Sequence, residues 1–153
     1  MTDRDVPGVV APPPVIFAAG LAAGLLLERW FPYPVLPAPW AHRLALVLFV
    51  PGLVGIAAVA AFRRAGTSPN PWTPTSQLVT GRVYRLSRNP MYVGFTLFYL
   101  AAACWKNSLW PFLFLPIVLL IMLYGVILRE ERYLARRFGD DYRAYQQRVR
   151  RWL

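Results

Sequence analysis

Apolar residues along this chain gather in long blocks instead of recurring with the period of a surface helix or a strand. Four blocks can be drawn, from about Val15 to Phe31, Leu44 to Phe62, Met91 to Trp105 and Leu109 to Leu128. A helix crossing a hydrocarbon core of ~30 Å needs about 20 residues, with about 17 near the minimum. The second and fourth blocks meet that length. The first and third are short, so they tilt little, thin the bilayer locally or cross it incompletely. Lys106-Asn107-Ser108 joins the third and fourth blocks into a tight antiparallel hairpin. Pro51 and Pro116 stand inside blocks, and each is expected to kink its helix by removing a backbone donor. Gly20 and Gly24 form a small-xxx-small pair, expected to serve packing within the chain more than dimerisation.

Composition sharpens this picture. The chain has 153 residues, room for one domain, and 57% of them are hydrophobic, above the about 45–50% of soluble domains. A formal charge of +10 in a soluble chain would suggest nucleic acid. Here the basic residues lie between and after the apolar blocks, where they set topology and meet anionic lipid. The expectation is therefore an all-α integral membrane protein of about four transmembrane helices followed by amphipathic cytoplasmic helices, with no nucleic-acid partner. One domain divides into two N-terminal spans (1–62), a cytoplasmic loop (63–89), a helical hairpin (90–128) and a helical tail (129–153). The single cysteine, Cys104, lies in an apolar run and reads as a small buried hydrophobe. His42 alone cannot assemble a zinc site, which needs several ligands together. The N-terminus, with Asp3, Asp5 and Pro12 to Pro14, lacks the basic start of a cleavable signal.

Charge orients the bundle. Five arginines lie between Arg63 and Arg88 and eight from Arg129 onward, against only Arg29, Arg43 and Lys106 in the opposite connectors. The positive-inside rule then makes the loop, the tail and both termini cytoplasmic, in an inner or plasma membrane. Trp30, Trp40, Trp105 and Trp110 fall at the other face, as an aromatic belt would.

Two polar segments exceed what connectors need. The loop RRAGTSPNPWTPTSQLVTGRVYRLSRNP carries Pro69, Pro71 and Pro74, which exclude regular structure at its start. Its Trp72, Leu78, Val79, Val83 and Tyr84 favour folding back on the bundle. Pro90 suits the first turn of the third helix, with Asn89 or Ser87 near the cap. After the fourth block, Gly139 can end one helix and Asp140 can start another. Phe138, Tyr142, Tyr145, Val149 and Trp152 then form an apolar seam; Tyr142 is also placed to reach a ligand. Glu130 and Glu131 stand where the last block ends. Either they pair with Arg132, Arg136 or Arg137 along the helix, or one or both face the bundle and grip a cationic or polyhydroxyl ligand. Neighbours differ by about 100° around a helix, so both are not expected to point alike.

The pieces AGTSPNPWTPTSQLVTG, YRLSRNPMYVG and EERYLARRFGDDYRAYQQRVRRWL, in that order, resemble the membrane methyltransferases related to isoprenylcysteine carboxyl methyltransferase and the phospholipid methyltransferases. They cover Ala65 to Leu153. The resemblance implies S-adenosylmethionine as methyl donor and a lipid or lipid-modified acceptor, an isoprenylcysteine carboxylate or a phospholipid-like amphiphile. By the same resemblance Arg88, Asn89, Pro90, Tyr92 and Gly94 form one wall of the cofactor pocket and Glu130 and Glu131 the other, with Tyr84 and Tyr142 added to the set. Asn89 stands where the prenylcysteine enzymes usually carry histidine, so no histidine base is assigned. The glycine of the family's usual T-G-P-[YF] turn falls one place early, at Gly81. Two other classes stay open: an NADPH-dependent membrane reductase sharing the C-terminal architecture, and a non-catalytic scaffold binding anionic lipid.

Overall fold

A computed structural model describes residues 6–153, and every regular element among them is helical. Asp3 and Asp5 of the acidic N-terminus lie outside the described residues. Helix α1 spans Pro13–Trp30, α2 Ala38–Gly52, α3 Val54–Arg64, α4 Pro90–Lys106, α5 Leu109–Met122 and α6 Leu128–Arg148. Proline occupies the first turn of α1, α2 and α4, where its missing N–H costs nothing and its fixed φ suits the helix.

Two stretches are long and apolar enough to cross a membrane, Ala38–Arg64 and the start of Leu109–Arg148. Leu46, Val47, Val50, Ile56, Leu113, Ile117 and Leu120 are exposed on them. An apolar surface of that extent belongs in lipid, not water. The first stretch is interrupted where Pro51 lacks a donor, and Leu53 separates α2 from α3. In the second, helix runs unbroken through Pro116, and the irregularity comes later, as one π-helical turn over Leu123–Ile127.

Glycine decides which helices meet. A Cβ on Gly20 would collide with Val118, and one on Gly24 would lie 2.6 Å from the Pro111 nitrogen. The small pair of α1 therefore seats it on α5 within the chain. Likewise a Cβ on Gly94 would come 2.6 Å from the Gly55 Cα, so α4 packs backbone to backbone on α3. The expected α4–α5 hairpin thus finds its main partners outside itself, α2 and α3 for α4, and α1 for α5. Trp30, Trp40, Trp105 and Trp110 share one end of the bundle, and Arg43 lies 5.1 Å above the Trp40 ring. The His42 ring lies against Trp105, centroids 4.8 Å apart and tilted by 50°.

At the other end the loop folds back, with Leu78, Val79 and Val83 packed around Tyr84, Tyr142 and Tyr145. Gly81 is extended and the left-handed residue is Arg82, at φ 55°. Gly139, at φ 53° and ψ −123°, breaks α6 in two and turns its second half, a conformation that favours glycine. The expected aromatic seam divides there. Phe138, Tyr142, Tyr145 and Val149 join the loop cluster, while Trp152 packs with the bundle core of Phe17, Tyr92 and Met122.

Candidate functional site

The polar segments converge at this end. Arg88 and Asn89 immediately precede α4, Tyr92 occupies its first turn, and Glu130 and Glu131 open α6. Together with Tyr84 and Tyr142 they line a recess that opens to solvent. Pro69 and Pro71 form part of its rim. The loop is pinned there by Tyr133, whose hydroxyl accepts a hydrogen bond from the Thr75 N–H at 3.0 Å.

Adjacent glutamates have different partners. The Tyr92 hydroxyl donates to both oxygens of Glu130, at 2.8 and 2.9 Å. No cation pairs with Glu130 among the described residues. Glu131, by contrast, receives the Arg151 Nε at 2.9 Å and its Nη2 at 2.8 Å, and a second guanidinium, Arg88, at 3.4 Å. Both glutamates line the recess, although neighbours on a helix were not expected to point alike. The chain turn at Gly139 explains this, because the returning tail supplies a second wall that Glu131 can face. Neither glutamate pairs along the helix with Arg132, Arg136 or Arg137.

Glu130 follows the uncharged stretch 109–128. Burial, opposed by the Tyr92 hydrogen bond and reinforced by the Glu131 charge, pushes its carboxyl up to about 7. Burial, reinforced by Glu131 and opposed by Arg88, likewise pushes Tyr142 up to about 12. Tyr84 rises further for the same first cause, burial. These tyrosines are therefore neutral donors at physiological pH.

Two buried polar atoms of the recess residues, the Tyr84 hydroxyl and the Arg88 Nε, have no hydrogen-bond partner among the described residues. Leaving such groups unsatisfied is costly, and a ligand can satisfy them. With free donors near Arg88 and a carboxylate at Glu130, the recess suits a small molecule that carries both an anion and a cation.

Seven of the nine residues singled out from sequence line the recess: Tyr84, Arg88, Asn89, Tyr92, Glu130, Glu131 and Tyr142. Pro90 and Gly94 do not. Pro90 is fully buried as the first residue of α4, and Gly94 serves the contact with Gly55. Asn89 sits at the N-cap of α4 without a side-chain cap bond; its Nδ2 donates to the Arg151 carbonyl at 2.9 Å instead. Tyr145 and Arg151 belong to the site's framework and had not been singled out for it. The Tyr145 hydroxyl donates to the Tyr84 carbonyl at 2.7 Å. Tyr145 carried a signal, its place in the aromatic seam, whereas Arg151 was one arginine among eight in the tail.

Fold and site define an all-helical membrane protein with a polar small-molecule recess at one end of an apolar bundle. The family model for phospholipid methyltransferases matches residues 40–141, two-thirds of the chain, and the protein belongs to that family. Membership makes it a membrane methyltransferase by class. An uncharacterized protein of Haemophilus influenzae is 43% identical over 63 residues, which span 41% of this chain and all of that relative. No solved structure matches the chain.

Proposed function

We propose that the protein transfers a methyl group from S-adenosylmethionine to a lipid-embedded amphiphile, an isoprenylcysteine carboxylate or a phospholipid-like acceptor. One observation carries this reading: segments far apart in the chain bring Arg88 and Tyr84, with unused donors, into one recess with Glu130. The amino-acid end of the methyl donor carries a carboxylate and an ammonium, the pair of charges such a recess complements.

When bound, S-adenosylmethionine supplies an electrophilic methyl group on a sulfonium. Glu130 takes the ammonium or the ribose hydroxyls, and Arg88 takes the carboxylate. Tyr92 fixes Glu130, and the proline-rich loop limits the access of water. With the donor held by Glu130 and Arg88, its methyl group would pass to the acceptor's lone pair and the methyl–sulfur electrons would stay with sulfur. Holding the acceptor in line with that bond supplies much of the acceleration. An ionised carboxylate acceptor needs no base, whereas an amine must first lose a proton.

In this reading α1, the α2–α3 rod, α4 and α5 each cross the bilayer. The 18 residues of α1 rise about 27 Å, near the thickness of the hydrocarbon core. The tryptophan end is then extracytoplasmic, and the recess and both termini lie in the cytoplasm. The acceptor enters sideways from the lipid and the donor from the cytoplasm.

The test is incubation of the purified protein in lipid nanodiscs with methyl-labelled donor and total lipid extract, followed by mass spectrometry. A labelled lipid product that disappears in Glu130→Gln is expected. Thermal stabilisation by NADPH and not by S-adenosylhomocysteine would overturn the reading in favour of a reductase.

A further inference from the structure

The two glutamates are not equivalent ligands, and the difference reaches to Arg151. Both oxygens of Glu131 are engaged by the Arg151 guanidinium, and one of them also by Arg88. Two cations around one carboxylate leave it little attraction for a third. Among the described residues Glu130 has only a tyrosine hydroxyl as partner, so no cation of the protein competes for it.

The segment around Arg151 is tied to the segment around Arg88 along its backbone as well. The Arg88 N–H donates to the Arg150 carbonyl at 2.9 Å. The Arg151 carbonyl accepts from Asn89 Nδ2 at 2.9 Å and from the Ser87 hydroxyl at 3.3 Å. Trp152 anchors the strand of chain by packing against the bundle core. Arg88 is thus held from both sides, by its backbone and through Glu131, with its Nε buried and unpartnered.

We infer that Arg151 and Glu131 are positioning residues that fix the Arg88 guanidinium for the ligand's carboxylate, leaving Glu130 alone to take the cation. This rests on the methyl-donor reading and assigns separate tasks to residues within it. Bidentate geometry matters, because a guanidinium holds a carboxylate in one orientation whereas an ammonium acts as a point charge.

The experiment is calorimetric titration in detergent with two probes, S-adenosylhomocysteine and its decarboxylated analogue, which keeps the amine and lacks the carboxylate. Arg151→Ala weakens the first by about tenfold, the size of one charge-assisted hydrogen bond, and leaves the second within about twofold. Arg151→Lys, which keeps the charge and loses the fork, shows the same selective loss at smaller size; it decides the matter if the alanine variant does not fold. Glu130→Gln weakens both probes. Equal weakening of both probes by the Arg151 variants makes Arg151 merely structural and overturns the inference. So does unchanged binding of S-adenosylhomocysteine. Wild-type protein that binds neither probe overturns the methyl-donor reading itself, and the inference with it.

Discussion

The two ends of α4 treat polar groups in opposite ways. At the Lys106 end, Asn107 Oδ1 accepts from the Val35 and Leu36 N–H groups at 3.1 and 3.0 Å, and its Nδ2 donates to the Leu36 carbonyl at 2.7 Å. Ser108, fully buried, donates to Glu28 at 2.6 Å, and Glu28 also receives the Tyr33 N–H. The Trp110 indole donates to the Phe31 carbonyl at 2.6 Å. At the Asn89 end the Tyr84 hydroxyl and the Arg88 Nε are buried without partners among the described residues. A saturated end closes the bundle and a half-saturated end leaves room for a ligand. Polar residues alone do not make a site; unfinished hydrogen bonding does.

The largest way to break this contrast is to remove Glu131. Glu131→Gln leaves two guanidinium groups without their carboxylate and is expected to lower stability by about 3 kcal/mol, read by chemical unfolding in detergent. At the saturated end, Asn107→Ala removes three hydrogen bonds and places alanine at φ 50°. A loss of about 2 kcal/mol is expected, with the affinity for S-adenosylhomocysteine unchanged in the folded fraction.

Glu130 sharpens the contrast through pH. Its folded-state pKa, about 7, lies above the usual carboxylate value. The stability contributed by the protonated form is therefore fully present below the unfolded-state pKa and is lost as pH rises through about 7. From pH 6 to pH 8 the ligand-free protein should lose about 1 kcal/mol. Ligand affinity should rise over the same window as the carboxylate ionises, and Glu130→Gln should flatten both curves. The smallest effect is at Tyr84. Tyr84→Phe removes a hydroxyl with no partner and should raise ligand-free stability by about 0.5 kcal/mol while weakening the ligand. A stability loss would show that the hydroxyl already has a partner.

Much of this was legible in the residues. Block lengths and proline positions located α1, the α2–α3 rod, α4 and α5, because these helices are written in long apolar runs. The glutamate pair and the Arg88–Tyr92 segment stood out as polar groups at block ends. Helix partnering was less legible: Gly55 and Gly94 look like any two glycines until backbones are seen to touch there. Gly94 was expected in the pocket wall only by the family resemblance. Arg151 was invisible because its partner lies 20 residues away around the turn at Gly139, and sequence periodicity carries no information across such a turn. Asn89 was read as a possible pocket residue and cap; its bond to the Arg151 carbonyl depends on the same reversal.

The central claim is that the unsaturated end binds the methyl donor and the saturated end does not contribute. Titrating S-adenosylhomocysteine into wild-type, Glu130→Gln and Asn107→Ala proteins in parallel tests it most directly. Saturable binding to wild type and Asn107→Ala, at least about tenfold weaker in Glu130→Gln, is the expected result. Absence of binding to wild type, or equal loss in both variants while they remain folded, would contradict it.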